Sequence, residues 1–150
     1  MDARAENRLI FPGLAGFYAS WREIAFTLTR VVIGVMYVMH VWGKFKAGPA
    51  AVAGNMARYG LEPSVFFAYS AMFLESVGGV CLIIGLFTRF FAAALAVEML
   101  IALFAAHWAK GYAAGAGGYE YVLLIGVVTF AIAIRGGGPY SVDRMIGKEL

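Results

Sequence analysis

Of 150 residues, 62% are hydrophobic and only 14% charged, more apolar surface than one water-soluble core can hide, so the bulk solvent of this chain is lipid. The net charge of +3 is scattered, which leaves no footprint for nucleic acid. Cys81 is the single cysteine, which excludes an internal disulfide and a CxxC metal or redox centre; it reads as a small packing residue.

Residues 1–23 form a first segment. Its stretch "RLIFPGLAGFYASWRE" is aromatic, bounded by Arg8 and Arg22 and interrupted by Pro12-Gly13, the pattern of an interfacial segment lying on the membrane. The apolar run at 24–42 follows. At about 19 residues, with Arg30 inside it, this run is too long and too charged for a signal peptide. At about 100° per residue, Arg30 and Tyr37 fall about 20° apart, with His40 and Lys44 within about 80° of Arg30. That predicts a polar stripe facing the interior of a bundle.

The link after this run is the longest, and Gly48-Pro49 and Glu62-Pro63 break it around a short interfacial helix. In the run at 65–86, Ala68, Ala71, Glu75, Gly78 and Gly79 share one face, small residues that let a neighbouring backbone approach. The link at Thr88-Arg89 is short enough to make this helix and the next antiparallel neighbours. The run at 90–108 holds Glu98 and His107, nine residues and about 180° apart, so both face the axis only if the helix bends or ends early. A final run at 118–134 opens with Glu120.

None of the runs alternates as a barrel strand does. The fold class expected is therefore an all-α membrane protein, a four-transmembrane-helix bundle over 24–135 with a cytoplasmic tail at 136–150. Arg4, Arg8, Arg22, Arg89, Arg135, Arg144 and Lys148 collect on the side of the termini, against Lys44, Lys46, Arg58 and Lys110 opposite. That imbalance puts both termini in the cytoplasm.

Arg30, Glu75 and Glu98 lie within the runs at similar depth, where an unpartnered charge costs roughly 2.5 to 3.5 kcal/mol. Arg30 is expected to pair with Glu75 or Glu98, and the carboxyl left over becomes a candidate proton relay. The plainer alternative is a structural clasp between helices. On the far side His40, His107 and Glu120 share one level with Trp42, Trp108, Tyr112, Tyr119 and Tyr121. The aromatics fit an ordinary interfacial belt, whereas two histidines beside a glutamate suit a quinone carbonyl, a proton or a metal. "HVWGKFKAGPA" and "HWAKGYAAGAG" also echo each other, as the ends of a duplicated two-helix unit would.

"FLESVGGVCLIIGLFTRFFAAALA" at 73–96, "GGYEYVLLIG" at 117–126 and "GGGPYSVDRMIG" at 136–147, with Arg30 and the His40-x-x-x-Lys44 spacing, resemble the DoxX family of small four-helix membrane proteins. The chain departs from the pattern at Val41, where members often carry glycine. The resemblance implies a place in the bacterial plasma (inner) membrane and an association with redox chemistry, notably thiosulfate:quinone oxidoreductase subunits and complexes handling sulfur compounds and oxidative stress. Two readings compete.

In one, the chain is the membrane subunit of a quinone-linked oxidoreductase. Arg30, Tyr37, His40, Lys44 and His107 bind the ligand, and Glu75, Glu98 and Glu120 exchange protons. With no flavin, iron-sulfur or other metal motif, electrons come from the substrate or from protein partners in a membrane redox complex. In the other, the chain is an accessory anchor without chemistry. A b-type haem held between His40 and His107 is a weaker third reading.

Overall fold

The computed structural model describes residues 9–149, and every regular element among them is helical. Helix α1 runs without interruption over Ala15–Ala47, roughly 50 Å. It is preceded by a single 3-10 turn at Pro12–Leu14. From Ala15 onward, the segment expected to be interfacial is helical and continuous with α1. Pro12 starts the helical path instead of breaking one, because its fixed φ suits a first turn where no donor is needed. Phe17, Tyr18 and Trp21 stand exposed on this opening and pack on one another. Arg4 and Arg8 lie outside the described residues.

Gly48, at φ +85°, ends α1, and Pro49 starts the short helix α2, Pro49–Arg58. This is the helix expected between the two breakers. Val52 buries it against Val41, Ala68 and Met72. Helix α3 spans Ser64–Ile84 and helix α4 spans Thr88–Lys110, and each contains one π turn, at Leu74–Gly78 and Leu103–His107. Helix α5, Glu120–Arg135, packs along α4.

Three helical stretches, Pro12–Ala47, Ser64–Ile84 and Thr88–Lys110, are long and apolar enough to cross a membrane. The run expected as a fourth span is helical too, but α5 has 16 residues and covers roughly 24 Å, less than a hydrocarbon layer of about 30 Å.

Where α1 crosses α3 the approach is close. A Cβ on Gly34 would sit 2.6 Å from the Gly79 carbonyl oxygen, so the two backbones touch. Gly78 turns the other way, toward Phe91 and Leu95 of α4. The Gly78-Gly79 pair therefore seats α3 against both neighbours, as small residues do where lipid gives helices no hydrophobic reason to associate. Gly34→Val is expected to lower stability by about 1 to 3 kcal/mol through overpacking. Gly16→Ala, which meets nothing within 4 Å, is expected to be neutral. Thermal unfolding of the two purified variants in detergent checks the contrast.

At the end of the bundle near Glu23, the segment expected to leave as a tail folds back instead. Helix α6, Val142–Ile146, is capped by Ser141, whose Oγ accepts from the Arg144 N–H at 3.2 Å. Asp143 is fully buried; its two carboxylate oxygens accept from the N–H groups of Phe87 (2.7 Å) and Thr88 (2.9 Å). An anion is thereby placed on the N-terminus of α4, where free donors and the helix dipole favour it. The Asp143 N–H in turn donates to Gly85, which holds φ +73° and has no room for a side chain beside Ser141 and Arg30. Arg89 donates to Glu149 and to the last carbonyls of α5, while Arg135 pairs with Glu23 at 2.6 Å.

Arg30 belongs to this end. It is 1% exposed, and its guanidinium donates to the carbonyls of Leu82, Ile83 (3.0 Å) and Tyr140 (2.7 Å), with Asp143 near enough to oppose its charge. The expected pairing with Glu75 or Glu98 is not made. The final carbonyls of α3 have no donors of their own helix, and a planar, multi-donor cation satisfies them from the side of α1. Glu75 lies seven residues, roughly 10 Å, farther up α3. Arg30 is a clasp, and its partners are backbone.

Candidate functional site

At the opposite end the helices part around a cavity of about 880 Å³, walled by all four long helices and roofed by α2. Most of its wall is apolar, with Phe67, Leu74, Val122 and Ile125 among the lining residues. Six polar side chains that the sequence singles out line it together: Tyr37, His40, Lys44, Glu75, Glu98 and His107.

Tyr37, His40 and Lys44 come from one face of α1 at helical spacing. Tyr37 is buried, and its hydroxyl shares a 3.1 Å hydrogen bond with Thr129 of α5. Lys44 reaches across to α3, where its Nζ lies 2.9 Å from Glu75 Oε2, an ion pair outside hydrogen-bond geometry. His40 Nε2 stands 3.8 Å from the other oxygen of the same carboxyl. The His40 side chain is 64% exposed and Glu75 only 1%, so the histidine marks the rim and the carboxyl the interior. Glu98 of α4 faces the same cavity as Glu75, and its Oε2 is buried with no hydrogen-bond partner among the described residues.

The π turns explain how these groups converge. Glu75 sits inside the π turn of α3, and His107 closes the π turn of α4. One extra residue in a turn rotates everything beyond it by about 100°, which reduces the 180° phase difference between Glu98 and His107 to about 80°. Both then reach one cavity. His107 is fixed through Nδ1, 2.8 Å from the Gly117 carbonyl, which leaves Nε2 for the cavity side.

Two expected site residues are elsewhere. Arg30 is at the far end, as described above. Glu120 is exposed at the start of α5, accepts from the Ala114 N–H at 3.1 Å and does not line the cavity. It steadies the loop ahead of α5 and places a negative charge at that helix's N-terminus. Trp108 at the end of α4 stacks on Tyr119 of this loop at 5.0 Å and Tyr112 meets Tyr119 edge-on, so these rings pack on each other as well as facing outward. Thr129, Asn55 and Tyr59 contribute to the site or its wall without any sequence signal, since a lone hydroxyl in an apolar run and a polar linker residue are both commonplace. Among the described residues, no three His, Cys, Asp or Glu side chains gather as a metal ion would require.

An apolar chamber with an ammonium, two carboxyls and two imidazoles can bind a ring bearing polar oxygens and pass protons to or from it. A family model described as DoxX matches residues 25–108. An uncharacterized protein of Haemophilus influenzae is 32% identical over 132 residues, 86% of this chain and 96% of its own length. The inner membrane protein YqjF of Escherichia coli is 26% identical over 129 residues, 85% of this chain and 95% of its own. No solved structure matches.

Proposed function

Because this chain belongs to the DoxX family and is integral to the inner membrane, we propose that its cavity binds an isoprenoid quinone, as the membrane subunit of an oxidoreductase. What carries the reading is the combination in one chamber of an apolar wall with the Lys44, Glu75 and Glu98 cluster. The residues fit such a ring. Its carbonyl oxygens need donors, which Lys44 Nζ and His40 supply, while His107 Nε2, with Nδ1–H committed to Gly117, can accept from a ring hydroxyl; the cavity volume falls within the roughly 300 to 1,000 Å³ of small-molecule sites. A bound quinone supplies the capacity to take up two electrons with two protons.

The chain's own part is protonic. Glu75 and Glu98, carboxyls of facing helices in the one chamber, are the groups that exchange protons with the ring. Lys44 balances the Glu75 carboxylate, and His40 at the rim links the site to water. Electrons enter from a partner protein or a diffusing substrate. In this reading α5 is a fourth crossing, fitted to its 16 residues by local thinning of the bilayer. Arg22, Arg89, Arg135, Arg144 and Lys148 then face the cytoplasm, and the cavity faces the other side.

A short-chain benzoquinone analogue is expected to bind the purified protein saturably, one per chain, and to raise its thermal midpoint. Ala105→Trp, which fills the chamber from α4, is expected to abolish binding and leave a folded helical protein. If calorimetry detects no saturable binding to the wild-type chain, the accessory-subunit reading takes its place.

A further inference from the structure

Lys44 is the only lysine or arginine among the residues lining the cavity, and it is already matched to Glu75 at 2.9 Å. The remaining titratable groups facing the cavity are Glu98, His40, His107 and the phenols of Tyr37, Tyr59 and Tyr121. Glu98 Oε2 is buried with no hydrogen-bond partner among the described residues, and Glu75 has Lys44. The lining thus holds two carboxyls for one ammonium.

We propose that the cavity takes only uncharged ligands, excluding oxoanions. An entering anion would shed its water among apolar side chains, meet two carboxyls and find no unmatched cation. An uncharged ring loses little water and leaves the Lys44–Glu75 pair intact. This inference rests on the cavity being a ligand site, not on the ligand being a quinone.

The test compares one ring in two charge states. Titration calorimetry of 2-naphthol and 2-naphthoate into nanodiscs of neutral lipid carrying the protein, referenced to empty discs, should show saturable naphthol binding and at least about tenfold weaker naphthoate. Sodium thiosulfate at constant ionic strength should show no binding. Glu75→Gln, which leaves the Lys44 ammonium without its carboxylate, should strengthen naphthoate by about tenfold or more.

The inference is overturned by wild-type naphthoate binding as tight as naphthol, by a saturable thiosulfate site, or by naphthol failing to bind. The wild-type arms decide even if Glu75→Gln does not fold. Naphthol binding without binding of the benzoquinone analogue would end the quinone reading while supporting this one.

Discussion

Replacing Arg30 with leucine is expected to lower the stability and yield of the folded protein sharply. The guanidinium is shared among Leu82 and Ile83 at the end of α3 and Tyr140 of the docked tail, so one substitution strands three carbonyls. It also leaves Asp143 without its opposing charge. Removing one side of such a buried set costs about 3 to 5 kcal/mol, against a total stability of about 5 to 15 kcal/mol. Arg30→Lys should rescue little, because a single ammonium cannot bridge two elements as a planar fork does. The measurement is the monodisperse yield of each variant extracted from membranes. Adding Glu75→Gln to Arg30→Leu should restore nothing, whereas an Arg30–Glu75 ion pair would predict recovery.

Replacing Lys44 with methionine should spare the packing of α1 and strike the cavity. Glu75, 1% exposed, would lose the ammonium that lies 2.9 Å from it. Leaving a buried carboxylate uncompensated costs about 3 to 5 kcal/mol, so the thermal midpoint should drop. Affinity for the benzoquinone analogue should fall about tenfold to a hundredfold, since the site loses a donor and its charge balance together. Adding Glu75→Leu to the same chain should return most of the stability, because a buried pair removed whole is often replaced at no cost by apolar groups. Ligand affinity should stay low. Recovery of both quantities in the double variant would mean that the pair is structural and the ligand lies elsewhere.

The helices were legible in the sequence because lipid leaves few choices: backbone groups must be satisfied within each segment, and about 20 apolar residues in a row announce it. The short helix at Pro49–Arg58 was legible from its breakers. The start of α1 was not, because Pro12-Gly13 can end one helix or open another. The convergence of Tyr37, His40, Lys44, Glu75, Glu98 and His107 was partly visible as a polar stripe on α1 and a small-residue face on α3.

Its geometry was hidden in the π turns, which have no compositional mark. Their trace in the sequence is a contradiction: Glu98 and His107 stand half a turn out of phase on a helix with no other ionisable residue between them. Arg30 was misassigned for a different reason. Matching charges by depth considers only charged partners, whereas the strongest acceptors within its reach were the open carbonyls at a helix end. Asp143, lying outside every apolar run, gave no hint that it would be among the most buried residues in the chain.

The refolded segment has a consequence for biosynthesis. Residues 136–149 leave the ribosome after all the long helices have been handed to the insertion machinery, yet Asp143 supplies the acceptors for Phe87 and Thr88, and Tyr140 one of the acceptors for Arg30. Until those residues emerge, the nascent bundle carries an open seam beside an incompletely matched cation. Surveillance proteases can recognise that unfinished state, so a chain interrupted just short of Asp143 is expected to insert normally and then be degraded.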